Sequence, residues 1–121
     1  MESFKNLYEF VEHCEDVILQ SKEDDKEEFA ILAIMAQANY TNQERLLIDA
    51  QITLTFYYQY LLEAIQQELY NFAAIIVKAK NIEVQHYTKL SITIIPDDAE
   101  EFKKNLIALD LYLNNEYLSN D

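Results

Sequence analysis

Glu83 and His86 are the two side chains whose types and spacing come nearest to a metal site. In di-iron bundles, a Glu-x-x-His motif on a helix points both side chains at one metal ion, because residues i and i+3 share a face. That class of site needs the motif twice, and a glutamate from each of two further helices. Here the motif occurs once, in a β-branched stretch where a strand would turn the two side chains to opposite faces. We therefore expect no metal and no other cofactor.

Nucleophilic and nucleotide chemistry find no support either. The chain contains no glycine, which excludes phosphate-cradling loops, the dinucleotide fingerprint and the strained turn that exposes a nucleophilic serine. The serines lie in no such context: Ser3, Ser21, Ser91 and Ser119. The sole cysteine, Cys14, lies on an apolar stripe and is expected to pack as a small hydrophobe. The sequence predicts a protein that is not an enzyme.

Acidic residues dominate the charge of the chain. The formal net charge is −13, and Arg45 is the only arginine. A basic footprint for nucleic acid is absent, and an anionic membrane surface would repel the chain, so neither is expected as a direct partner. The acids are densest near the N-terminus, where residues 1–28 carry ten acids and three lysines. We take as the candidate partner-binding surface Glu12, Glu15, Asp16, Glu23, Asp24, Asp25, Glu27 and Glu28.

Such a surface suits a basic protein partner. Small, acidic, glycine-free chains of this kind are typical of phage or mobile-element anti-defence proteins, of the anti-CRISPR or anti-restriction type. The leading expectation is thus a non-enzymatic inhibitor or regulator of a basic, nucleic-acid-handling protein. The alternatives are a toxin-neutralising immunity protein and a structural or chaperone-like helical dimer, in which the acids serve solubility alone.

Apolar spacing indicates helices that would carry these residues. Residues 3–20 form an amphipathic pattern, and Thr41 to Glu44 is a capping-box pattern that starts a second periodic segment. No strong stop follows until about Asn81, which predicts one central helix over about 42–80. Such a helix would be roughly 57 Å long. A compact domain of this size is only about 35 Å across, so the helix must bend or protrude.

A second apolar row runs along the far side of this predicted helix: Ile52, Phe56 and Tyr60. A helix with one buried face does not need such a row. Either further helices cover it as core, or it forms an interface, for which tyrosine is well suited because it buries area and keeps a hydroxyl that can contact water. We expect self-association through this row, and a homodimer.

Residues 82–95 change character, because Ile82, Val84 and His86 alternate and β-branched residues follow. This favours a small β-hairpin, although the stretch lacks good turn residues and a continued helix is the alternative. After Pro96, the apolar spacing predicts a C-terminal helix. The predicted fold is a mainly α single domain over 1–121, a helical bundle around the long helix. Without a basic-then-apolar leader or a run of ~20 apolar residues, the expected location is the cytoplasm, of the host cell if the chain is phage-encoded.

Overall fold

The structure is a computed structural model that describes residues 4–23 and 43–119. Within these ranges the chain forms helices and no strand. The elements in chain order are α1 (Leu7–Glu23), α2 (Gln43–Gln66), α3 (Tyr70–Ile94), a 3₁₀ helix (Pro96–Asp98) and α4 (Ala99–Leu118). α3 packs against each of the other helices, and α2 packs mainly against α3 and α4. The predicted mainly α helical bundle is confirmed.

The central helix is not continuous, so the prediction of one helix over 42–80 is wrong at its middle. α2 ends at Gln66, and Glu68 adopts a left-handed backbone with φ of 59°. The Leu69 amide donates to the Ala64 carbonyl over 2.8 Å, and the Glu68 amide donates to the Ile65 carbonyl over 3.0 Å. This is the Schellman ending of a helix, in which the left-handed residue reverses the chain.

The break allows the apolar face of the predicted long helix to pack against itself. α2 and α3 lie antiparallel, as the hydrogen bond between Tyr87 and Asp49 requires across so short a connection. Apolar residues on both sides of the break are buried: Ala50, Leu54 and Leu61 in α2, and Ile76 in α3. A single straight helix would have left much of this face in water.

The hairpin over 82–95 is also wrong, because α3 continues to Ile94. Tyr87 and Leu90 are buried at helical spacing, and the tertiary packing outweighs the weak helix propensity of the β-branched residues around them. Two side-chain hydroxyls bond back to the helix: Thr88 donates to the Val84 carbonyl over 3.0 Å, and Ser91 donates to the Thr88 carbonyl over 2.7 Å. Pro96 then ends the helix.

The outer helices follow their predicted stripes. α1 buries one face, which includes Leu7, Val11 and Cys14, and α4 buries Phe102 and Leu106. The core forms one continuous cluster in which side chains of all four described helices meet. Glu12, Glu15 and Asp16 of α1 lie away from this buried face and are exposed to solvent.

Candidate functional site

Three residues of the predicted acidic surface lie together on α1. Glu12, Glu15 and Asp16 are exposed and occupy neighbouring positions of the helix, about 5–6 Å apart between Cβ atoms where the spacing is three or four. From Leu7 to Ser21 the helix contains no lysine and no arginine. This stretch of α1 therefore supplies no base that would neutralise these acids.

The rest of the predicted acidic surface extends beyond α1. Glu23 is the last residue of the helix. Asp24, Asp25, Glu27 and Glu28 lie outside the described residues.

The predicted self-association row lies on α2 and is partly used within the chain. Ile52 is 45% exposed, whereas Phe56 and Tyr60 are half-buried against the core. The Tyr60 ring stacks on Phe10 at a centroid distance of 4.3 Å, and its hydroxyl donates to the Phe4 carbonyl over 3.2 Å. Packing within the chain thus explains why an apolar ring is present at Tyr60. Ile52 is the residue of the row that is most accessible to another chain.

Glu83 and His86 lie on one side of α3, not on opposite faces of a strand. The Glu83 Oε1 atom is 3.7 Å from His86 Nδ1. Within residues 4–23 and 43–119, no cluster of three His, Cys, Asp or Glu residues could hold a metal ion. The helix thus restores the spacing of the motif but brings no third ligand to it, and the absence of a metal remains a prediction.

An open pocket of about 350 Å³ lies where α1, α2 and α3 meet. Its walls are aromatic: Phe4 and Phe10 come from the start of the chain and α1, and Phe56 and Tyr57 come from α2. Phe10 contacts Tyr57 edge to face at 5.1 Å, and Phe4 contacts Phe10 in the same manner at 5.1 Å. These ring contacts fix the walls against one another.

Polar groups interrupt the aromatic lining. They are His13 of α1, Thr53 and Tyr57 of α2, and Glu83 of α3. The His13 ring lies 5.0 Å from the Phe4 ring. Ligand pockets are typically concave and mostly apolar, with a few polar groups and volumes from about 300 to 1,000 Å³. This pocket matches that description in its lining and its volume.

Tyr57 carries a buried hydroxyl without a hydrogen-bond partner among the described residues. The residue is 2% exposed, and its hydroxyl oxygen has no solvent contact. Burial raises the pKa of Tyr57 far above its usual value, and the nearby Glu83 carboxylate raises it further. A buried polar group in this state costs stability, because no described residue replaces its contact with water.

Two other buried tyrosines are fully partnered and hold the helices together. The Tyr58 hydroxyl donates to Asp110 over 2.7 Å, and Lys80 lies 3.2 Å from both oxygens of the same carboxylate. This group joins α2, α3 and α4. The Tyr87 hydroxyl donates to Asp49 over 2.5 Å and lies 3.1 Å from the Thr53 hydroxyl. These contacts are structural, because they tie side chains of different helices together.

Cys14 is buried and free. Burial raises the pKa of its thiol to about 12, with smaller contributions from Glu83 and Glu15. Because the thiolate is the nucleophilic form, this cysteine is inert at neutral pH. The prediction that Cys14 packs as a hydrophobe is confirmed.

Sequence reasoning missed the pocket. The signal was present in Glu83 and His86, whose helical spacing was recognised and then set aside in favour of a strand. With α3 continued to Ile94, Glu83 falls on the face that packs toward α1 and α2. The sequence around Tyr57 gives no indication of a hydroxyl without a partner among the described residues.

The fold and surface define an acidic bundle of α-helices in the described part of the chain. No family model matches the sequence, and neither a curated protein nor a solved structure is similar to it. None of the helices in residues 4–23 and 43–119 is long and apolar enough to span a membrane.

Proposed function

We propose that this protein is a non-enzymatic inhibitor or regulator that binds a basic protein, such as a nucleic-acid-handling protein, through the acidic face of α1. The observation that carries the proposal is the exposed group of Glu12, Glu15 and Asp16, on a helix stretch without a compensating base. An anti-defence protein of a phage or mobile element and a toxin-neutralising immunity protein would both use such a surface in the same way.

Electrostatics supports recognition by this face more than tight binding by any one residue. A net charge of −13 gives a long-range attraction for a basic target, which raises association rates by about tenfold or more at low salt. The attraction is screened beyond about 8 Å at physiological ionic strength. Exposed single ion pairs contribute little affinity, so the acids must act together.

The test is a capture experiment in cells that contain the native partner. The bait variant Glu12→Gln, Glu15→Gln and Asp16→Asn removes three charges from α1. The control variant Asp97→Asn, Glu101→Gln and Glu116→Gln removes three exposed charges around α4. We expect one basic protein in stoichiometric amount with wild type and the control, and a smaller amount of it with the α1 variant. Equal capture by both variants, or no stoichiometric partner, contradicts the proposal.

A helical dimer is the second candidate, and the exposure of Ile52 favours it. Ile48, one helical turn earlier, is also exposed, so two isoleucines face solvent at a spacing of four on α2. An apolar pair of this kind is suited to helix packing between subunits. This candidate predicts self-association that is insensitive to salt, whereas the acidic-face proposal predicts partner binding that weakens with salt.

A further inference from the structure

The described lining of the pocket between α1, α2 and α3 contains one carboxylate, and its only basic side chain is the imidazole of His13. Neither a lysine nor an arginine is among the described residues that line it, and Glu83 supplies a carboxylate. A concave site with one carboxylate, in a protein of net charge −13, attracts a monovalent cation more than an anion or a neutral molecule.

The Glu83 carboxylate has unused acceptor capacity. Its side chain is 21% exposed, and its ion-pair partner in the described part of the chain is His86, at 3.7 Å. That separation is beyond hydrogen-bond range. An ionised carboxylate offers about four acceptor positions, and a half-buried one normally fills several of them. Glu83 can therefore accept hydrogen bonds from a ligand.

A second polar group of the lining is also unsatisfied. The Tyr57 hydroxyl lacks a hydrogen-bond partner among the described residues, although the residue is almost entirely buried. The influence of Glu83 on the Tyr57 pKa indicates that the two groups lie within electrostatic reach of each other. Because its oxygen has no solvent contact, the Tyr57 hydroxyl is not a contact of a ligand in the pocket, and Glu83 is the acceptor that a ligand can reach.

The aromatic walls select the shape of that cation. The half-buried rings of Phe4 and Phe56 are the aromatic surfaces of the pocket that a ligand can reach, because Phe10 and Tyr57 are almost fully buried. A guanidinium group is planar, stacks on aromatic rings, is more weakly hydrated than an ammonium group and donates to a carboxylate through two parallel N–H bonds. An ammonium group would match the charge but not the flat walls.

We infer that this pocket binds a guanidinium group, with Glu83 as its carboxylate acceptor and the half-buried ring of Phe56 as its stacking surface. The guanidinium can belong to an arginine side chain of a bound protein or to a free small molecule. The acidic surface favours an arginine of the basic partner as the source, and this choice of source rests on the proposed function. The binding of a guanidinium group by the pocket does not depend on the proposed function.

The first experiment titrates isotopically labelled protein with N-acetyl-arginine-N-methylamide and records amide chemical shifts by NMR. N-acetyl-citrulline-N-methylamide is the neutral analogue of the same shape. We expect saturable shifts at residues that line the pocket, with a Kd on the order of 1 mM for so small a ligand, and at least tenfold weaker binding of the citrulline compound.

Matched variants assign the binding to the pocket. Glu83→Gln is expected to weaken arginine binding at least tenfold, whereas Glu63→Gln, which removes a half-buried carboxylate of α2 outside this pocket, leaves it unchanged. Phe56→Leu removes a ring and keeps an apolar side chain, and it serves as the second test if Glu83→Gln does not fold. Absence of shifts, equal binding of citrulline, or equal loss in Glu63→Gln overturns the guanidinium site.

The second experiment identifies the source of the guanidinium. Glu83→Gln is used as bait in the capture experiment described above. A loss of the partner by tenfold or more supports an arginine of the partner as the occupant. Unchanged capture, together with arginine binding by NMR, overturns that source and leaves a free guanidine as the ligand. If no partner is captured, the proposed function fails while the NMR result still decides the pocket.

Discussion

Neighbouring tyrosines on α2 are expected to respond in opposite directions to the same substitution. Tyr57→Phe removes a buried hydroxyl with no partner among the described residues, and Tyr58→Phe removes a hydroxyl that donates to Asp110 over 2.7 Å. Both side chains are buried in the same helix, and both substitutions delete one oxygen atom. The difference between the two variants therefore reports the hydrogen bond and little else.

The magnitudes follow from the two environments. A buried polar group left without a partner costs about 1–3 kcal/mol, so Tyr57→Phe should raise the free energy of unfolding by about 1 kcal/mol. A hydrogen bond to a charged group contributes about 1.5–3 kcal/mol. The Asp110 side chain is 24% exposed and retains its contact with Lys80, which places the loss in Tyr58→Phe near the lower limit, about 1.5 kcal/mol.

Urea unfolding followed by circular dichroism measures both variants. With an m value of about 1.5 kcal/mol per molar urea, Tyr57→Phe should raise the midpoint by about 0.7 M and Tyr58→Phe should lower it by about 1 M. The slopes should match wild type, because neither change alters the area exposed on unfolding. If Tyr57→Phe lowers the midpoint as much as Tyr58→Phe, the Tyr57 hydroxyl has a partner and the argument fails.

Three further changes test other parts of the fold. The pKa of Cys14 is raised to about 12 from an ordinary 9.0, so the thiol of the unfolded chain loses its proton first and stability is lost between pH 9 and 12. From pH 8 to 10, the free energy of unfolding of wild type should fall by about 1.4 kcal/mol more than that of Cys14→Ala. Equal losses in paired urea titrations would refute the shift. Glu68→Gly relieves a left-handed backbone and should stabilise the protein by about 0.5–1 kcal/mol in thermal unfolding, whereas a lower Tm would argue against the reversal at this residue. Ile52→Asp should convert a dimer to a folded monomer in sedimentation velocity, and wild type that is already monomeric at high micromolar concentration would dispose of the dimer.

The sequence predicts the outer helices well because their apolar residues recur on one stripe. α1 and α4 each bury one face in a manner that spacing alone indicates, and the boundary at Pro96 follows from the restriction that proline places on the preceding residue. Glu12, Glu15 and Asp16 are exposed for the same reason, since they lie off the apolar stripe of α1.

The reversal at Glu68 could not be located from the sequence. Glycine and asparagine are the usual signals of a left-handed helix end, and this chain uses glutamate there. The length of the predicted helix was the available clue, because a rod longer than the domain must fold back or protrude. The free energy that places a glutamate in this conformation comes from the packing of α2 on α3, which is a property of the whole fold.

The continuation of α3 was missed for a related reason. Local alternation of β-branched residues favoured strands, but the buried positions Ala79, Tyr87 and Leu90 follow the helical period once the opposing helices are known. The pocket depends on this continuation, because it places Glu83 against side chains from α1 and α2. No local pattern could bring together residues that are so distant along the chain.

Salt dependence of the association rate is the most direct test of the claim that the acidic face of α1 recognises a basic partner. Stopped-flow association of the captured partner should be measured over a salt series with wild type and with Glu12→Gln, Glu15→Gln, Asp16→Asn. The account predicts that wild type associates about tenfold or more faster at low salt than at high salt, and that the variant is slower with a flatter dependence. Identical rates for the two proteins across the series would contradict it, and the acids of α1 would then serve solubility alone.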